Sequence, residues 1–197
     1  MSTEAVAAPG AGYPLRYDVE YPENLSRLLI FVKWLLAIPH LIILYALLVV
    51  AEVMLLIAFF AILFTRKFPK GLFDFVVNTL RWNANVTAYV GLLRDDYPPF
   101  SWDAGKYPVT YEVDYPEQLS RWAPLYKWLL ALPHYAVLLL LIIGAAVLWS
   151  IACLAILITG RFPQGMFNFI VGVMRWNNRV TAYVYFMRDE YPPFSLK

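Results

Sequence analysis

Few side chains in this sequence could do chemistry. The only two histidines, His40 and His134, each follow a proline at the head of a long apolar run. An imidazole titrates near neutrality and ligates metals, so two in equivalent places could share one haem or one metal ion, or pass protons. No Cys, Asp or Glu stands at ligand spacing beside either, which favours a histidine hydrogen-bonded near a helix start, with no cofactor or metal expected. Glu52 falls in the middle of an apolar stretch, where an acid is costly and faces a partner or a water-filled path. Ion carriage would need more than one such group. The expectation is therefore a buried acid, protonated or paired with Lys, Arg or Asn of a neighbouring helix or another subunit.

Arg81-Trp82-Asn83 and Arg175-Trp176-Asn177 repeat without change. A guanidinium beside an indole could hold a lipid phosphate at headgroup depth, or pin two helices together. Asp74 is available as a counter-charge to Arg81, but its equivalent is Asn168 and Arg179 is added, leaving a net positive strip suited to an anionic lipid or partner. No Ser-His-Asp order, metal-binding helix motif, phosphate-binding glycine loop or dinucleotide fingerprint appears, so no catalytic residue is assigned and enzyme activity is not expected. The lone Cys153 leaves neither an intrachain disulfide nor a thiol pair.

These residues are positioned by a repeat. With Tyr13 set against Tyr107, the two halves match at a constant offset without a gap. The expected organisation is a disordered tail over residues 1–12, one unit over 13–103 and a second over 104–197. A composition of 61% hydrophobic and 15% charged residues cannot cover an ordinary soluble surface, which points to a bilayer as solvent. The net charge of +2 is carried by scattered Lys and Arg, so nucleic acid is not an expected partner. The first residues have no basic n-region and no long apolar run, unlike a cleavable secretory signal.

Within each unit, residues 13–20 and 107–114 alternate at period two and read as short exposed strands. The helices opening near Leu28 and Trp122 carry Lys and Trp suited to the headgroup level. Pro39 and Pro133 should then break the chain before the apolar runs 40–65 and 134–159, each of about 25 residues and enough to cross a hydrocarbon core of about 30 Å. In residues 71–93, Asp74, Asn78, Arg81 and Asn85 share one helical face. The second copy keeps that face as Asn168, Gly172, Arg175 and Arg179. A short link between the units and an equal orientation of both give four crossings. The competing layout has one crossing per unit, with the units inverted. The Tyr-Pro-Pro-Phe-Ser segments, residues 97–101 and 191–195, are expected to dock beside the strands.

The ordered set Tyr-Pro-Glu-x-Leu-Ser-Arg, Lys-Trp-Leu-Leu-Ala-[Ile/Leu]-Pro-His, Phe-Pro-x-Gly-x-Phe-x-Phe, Arg-Trp-Asn and Arg-Asp-[Asp/Glu]-Tyr-Pro-Pro-Phe-Ser, present twice, resembles a bacterial membrane domain family of unknown function that occurs in tandem. The resemblance implies a bacterial cytoplasmic membrane and supplies no catalytic residues. The expected fold is an all-α, multi-pass integral membrane protein of two pseudo-symmetric units. Each unit has an interfacial helix, a transmembrane helix and an amphipathic membrane-embedded helix, with short extramembrane strands. The expected role is a non-catalytic subunit that anchors, scaffolds or binds lipid in a larger complex, with anionic lipids and other membrane subunits or further copies as partners. The alternative is a small oligomeric channel or carrier.

Overall fold

The structure, a computed structural model, describes residues 12–197; the tail expected over residues 1–12 lies outside the described residues except for Gly12, an exposed bend. The chain is mostly helical with one small sheet. Its elements are β1 (Leu15–Val19), α1 (Leu29–Leu36), α2 (Ile38–Thr65), α3 (Lys70–Val90), β2 (Val109–Val113), α4 (Ala123–Leu130), α5 (Leu132–Thr159) and α6 (Gln164–Val184). The second four repeat the first four at a constant offset.

Each proline acts as the sequence requires. α1 ends and α2 begins at Ala37, and Pro39 occupies the first turn of α2, where no backbone donor is missed. Ala131 and Pro133 do the same for α4 and α5. The long helices stop on left-handed residues, Arg66 at φ 61° and Gly160 at φ 72°; only the second is free of a Cβ penalty.

β1 and β2 form an antiparallel ribbon whose register sets Tyr17 opposite Tyr111. Those two tyrosines are equivalent in the repeat, so the strand of each unit pairs with its own copy about this position. Its inner face buries Leu15, Tyr17, Val19, Val109 and Tyr111, while Arg16, Asp18 and Thr110 stand in solvent. Arg16 pairs on the outer face with Glu112 at 3.0 Å.

Beneath the ribbon the units exchange partners: α3 packs on β2 and α6 on β1. The exchange continues at the strand ends, where the Tyr21 hydroxyl donates to the Phe162 carbonyl at 2.5 Å and the Tyr115 hydroxyl to the Phe68 carbonyl at 2.6 Å. The Leu25 and Leu119 amides donate to the Gly160 and Arg66 carbonyls at 2.8 and 2.9 Å. One hydrophobic cluster runs through both units, from Phe73, Val76 and Leu80 of α3 to Phe167, Ile170 and Val171 of α6.

α3 lies between β2 and α2, and α6 between β1 and α5, giving three layers: ribbon, α3 with α6, then α2 with α5. α2 turns a stripe inward, Leu44, Ala51, Leu55, Ala58 and Ile62, flanked by half-buried residues such as Leu47 and Leu48, and leaves its opposite apolar face uncovered. Among the described residues only α2 and α5 are long and apolar enough to cross a membrane, so the return crossings expected of α3 and α6 are not among the candidate spans. α3 and α6 drop out because they are sandwiched between layers, with the arginines of their polar strips bonded to the ribbon.

The ribbon also yields a stability prediction. The Tyr111 hydroxyl is fully buried with no partner among the described residues, whereas Tyr17 donates to the Met174 sulfur at 3.3 Å. A buried unpaired hydroxyl costs about 1–3 kcal/mol. Tyr111→Phe should therefore stabilise by about 1 kcal/mol in chemical denaturation, and Tyr17→Phe should not.

Candidate functional site: two buried ion pairs and two histidine boxes

The most deeply set charges are two lysines. Lys33 is 1% exposed, and its ammonium lies 2.7 Å from Asp95 Oδ1, 2.6 Å from the Arg94 carbonyl and 5.0 Å over the Tyr89 ring. Lys127 repeats this with Asp189 at 2.7 Å, the Arg188 carbonyl at 2.6 Å and the Tyr183 ring at 4.8 Å. The second carboxylate oxygen accepts the Ser26 amide at 2.5 Å in one unit and the Ser120 amide at 2.6 Å in the other. One aspartate thus ties the turn before α1, α1 itself and the loop after α3. The headgroup-level placement expected for these lysines is corrected: they turn inward, because an acid, a carbonyl and a ring face replace the hydration they lose. Burial pushes both lysines below their ordinary pKa, and the aspartate hydrogen bond opposes that. Arg94 and Arg188 complete the hub by donating to the carbonyls of Glu20 and Asp114, at 3.2 and 2.9 Å.

The histidines occupy closed aromatic boxes. His40 and His134 are both 0% exposed. His40 Nδ1 accepts the Trp82 indole N–H at 3.1 Å, and its ring stacks on Phe100 at 3.9 Å beside Tyr97. His134 accepts from Trp176 at 3.0 Å and stacks on Phe194 at 4.0 Å beside Tyr191. An indole donating to Nδ1 assigns the imidazole proton to Nε2, which has no acceptor among the described residues. The Tyr-Pro-Pro-Phe-Ser segments close over the histidines, while the residues that flank them reach the strand starts, where Tyr13 and Tyr107 donate to the Glu190 and Asp96 carbonyls at 3.1 and 2.7 Å. Each imidazole has its own box, and the structure does not bring the pair together around one haem. Among the described residues there is no group of three or more His, Cys, Asp and Glu placed to hold a metal ion.

The Arg-Trp clamp expected for a phosphate is not formed. Neighbouring residues on a helix point about 100° apart, so Trp82 and Trp176 reach the histidines while Arg81 and Arg175 reach the ribbon. Arg81 donates to the Tyr111 and Trp102 carbonyls at 3.0 and 3.1 Å and to Asn78 Oδ1 at 2.7 Å. Arg175 donates to the Tyr17 and Leu196 carbonyls and to Asp18 Oδ1, each at 2.8 Å. The counter-charge of Arg175 is thus Asp18 of β1. Asp74 does not serve Arg81; it pairs with Lys70 at 3.0 Å. At Gly172 a Cβ would fall 2.9 Å from the Leu196 carbonyl oxygen, so the absence of a side chain there lets the C-terminal segment approach Arg175.

Arg179 remains distinct. It is 9% exposed, lies 5.9 Å from the Tyr13 ring centroid, and its Nε has no partner among the described residues. With Arg16, Asp18, Arg175 and Lys197 it lines a cleft of about 380 Å³ at the ribbon edge. Asn83 lines a separate cavity of about 300 Å³ with Trp149 and Met174, and Asn177 is exposed. Glu52 is exposed rather than buried, and it is paired with the Tyr185 hydroxyl at 2.9 Å rather than with Lys, Arg or Asn. Burial and the Glu52 carboxylate push Tyr185 up to about 12. The equivalent of Tyr185 is Gly91, whose carbonyl accepts the Trp149 indole at 2.9 Å. The same junction is closed by different residues, which explains how the second unit does without the acid.

These features define a tandem helical-repeat protein whose two units interlock under a shared ribbon. Residues 27–101 and 121–195 match the family described as Domain of unknown function (DUF4389), and the chain belongs to that family as two copies. Both ribbon strands fall outside the matched stretches. No curated protein and no solved structure matches the chain.

Breaking a buried pair from one side costs about 3–5 kcal/mol. Asp95→Ala should therefore destabilise by about that much in chemical denaturation, and Lys33→Met added to it should recover most of the loss. In the single variant the aspartate no longer opposes burial at Lys33, so its folded pKa falls further below the unfolded value. The unfolded chain then binds more protons across that window, and stability should rise with pH towards the ordinary lysine range.

Proposed function

We propose that this chain is a non-catalytic membrane subunit, held in a bilayer by α2 and α5, that presents the polar outer face of its ribbon to water as a docking platform for other subunits. The observation that carries this reading is exposure. The most apolar windows of α2 and α5 are only 22% and 17% buried within the chain, whereas the core helix of a soluble protein would be mostly covered. The setting proposed from the motifs is the cytoplasmic membrane of a bacterium, with the two units related by a pseudo-twofold normal to the ribbon.

A scaffolding role is supported by how the polar groups are used. Lys33, Lys127, Arg81, Arg175, Arg94 and Arg188 all donate to acceptors within the chain, so these charges hold the fold. Arg179 is the least satisfied of these groups, with one long bond to the Ser195 carbonyl at 3.5 Å and an Nε without a partner among the described residues, and its cleft with Arg16, Arg175 and Lys197 suits an acidic group of a partner better than a lipid headgroup, because it opens at the ribbon edge. One observation favours a small carrier as the second reading: Glu52 and Tyr185 face a cavity of about 320 Å³.

Alkaline carbonate extraction should leave the protein in the membrane pellet, and release into the supernatant would overturn the membrane reading. A photo-crosslinker at Thr110, on the exposed ribbon face, should capture a discrete protein partner in native membranes. Crosslinks to nothing but water and lipid would remove the scaffold reading. Glu52→Gln should leave both results unchanged; abolition of a proton-linked flux by that variant would favour the carrier.

A further inference from the structure

We infer that α2 and α5 lie in the plane of one leaflet instead of crossing the bilayer, so that the apolar face formed by α1, α2, α4 and α5 docks on a lipid monolayer and the whole chain stays on one side of the membrane. This rests on the membrane reading above and replaces the multi-pass expectation.

The two ends of α2 are tied to the two ends of a single strand. At the N-terminal end, the Tyr107 hydroxyl donates to the Asp96 carbonyl at 2.7 Å, next to the Asp95 that holds Lys33 of α1, and Tyr97 donates to the Leu36 carbonyl at 3.2 Å. At the C-terminal end, Tyr115 donates to the Phe68 carbonyl at 2.6 Å and the Leu119 amide to the Arg66 carbonyl at 2.9 Å. From Tyr107 to Tyr115 the extended chain covers about 26 Å at about 3.3 Å per residue. That is a large part of the roughly 42 Å length of α2 at about 1.5 Å per residue. β2 therefore runs alongside α2, with α3 between them. β1 serves α5 in the same way: Tyr13 donates to the Glu190 carbonyl at 3.1 Å and Tyr21 to the Phe162 carbonyl at 2.5 Å.

A helix crossing the bilayer would drag this ribbon with it. The two ends of β2 would approach opposite interfaces, and Arg16, Asp18 and Glu112 would sit at hydrocarbon depth. Each such charge costs about 2.5–3.5 kcal/mol near the centre by insertion scales. The open ribbon edges add backbone groups that need water, and open sheet edges facing lipid do not occur within the hydrocarbon. Laid flat, the molecule avoids both costs. The ribbon stays in water, and a helix layer about 10–12 Å thick fits within half of a core of about 30 Å.

The underside fits this partner. Ile42 at 65%, Val53 at 55% and Phe64 at 73% exposed mark an uncovered apolar face along the full length of α2, and Leu140 at 70% and Ile158 at 75% mark the same along α5. Trp34, Trp122 and Trp128 are exposed on α1 and α4, as suits the headgroup level. Exposed Arg66, Lys67 and Arg161 at the helix ends match anionic headgroups in charge.

The test uses the full chain in sealed vesicles with Cys153→Ala, which removes the only cysteine. Asp96→Cys and Lys67→Cys mark the two ends of α2, Thr110→Cys marks the ribbon, and Glu190→Cys with Arg161→Cys repeats the reading in the second unit. An impermeant maleimide should label all five from the same side. Labelling of the two ends of α2 or of α5 from opposite sides would overturn the inference. Spin labels at Ile42, Val53 and Phe64 should report similar depths within one leaflet; a maximum at Val53 near the midplane would overturn it as well. Recovery of the protein in the soluble fraction would instead remove the membrane reading on which the inference stands.

Discussion

Backbone hydrogen bonding in the ribbon constrains the rest of the structure. Two strands satisfy only part of each other's amides and carbonyls, and the outer edges need other partners. Arg81 and Arg175 take the carbonyls of Tyr111 and Tyr17, the residues at the centre of the register. The remaining edge groups need water, so the ribbon defines which side of the molecule is wet. The layer order follows from that. α3 and α6 can use their polar strips because those strips face the ribbon, and the apolar helices collect on the side that has no polar cover.

The second constraint is the aspartate in each loop after α3 and α6. A carboxylate that accepts both an ammonium and a backbone amide fixes three segments at one point, and it does so twice. Three of the tyrosines at the strand ends, Tyr13, Tyr21 and Tyr115, act over a longer range, since each reaches a backbone carbonyl in a loop distant in sequence. Register, helix placement and loop closure are therefore set by few contacts, most of them between a side chain and a carbonyl.

Much of the local structure was legible in the sequence. The apolar run read as residues 40–65 is α2 at Ile38–Thr65, and the proline breaks and both strands fall where period and punctuation place them. Partnership was not legible. A period of two announces a strand without saying that it will pair with its own repeat and cover the other unit's helix. Lys33 beside Trp34 in an apolar helix reads as a headgroup pair, and only the distant Asp95 turns it inward; the signal available was that Arg94-Asp95 recurs unchanged as Arg188-Asp189. The Arg-Trp clamp could have been doubted from helical geometry alone, since adjacent residues do not share a face. For Glu52, the partner Tyr185 has glycine as its equivalent, so the repeat itself concealed it.

Joining the two units by a short link has a consequence for how the copies can diverge. A ribbon assembled from separate chains would depend on their concentration. A tethered one forms at an effective concentration in the millimolar range, whatever the amount of protein. A symmetric dimer must also write every interface residue twice, so a change suited to one side is imposed on the other. The fused pair is free of that restriction. Asn78 can answer to Gly172, Asn85 to Arg179 and Glu52 to Ala146, each suited to its own surroundings. The duplication thereby turned one self-complementary surface into two sequences that can be altered independently.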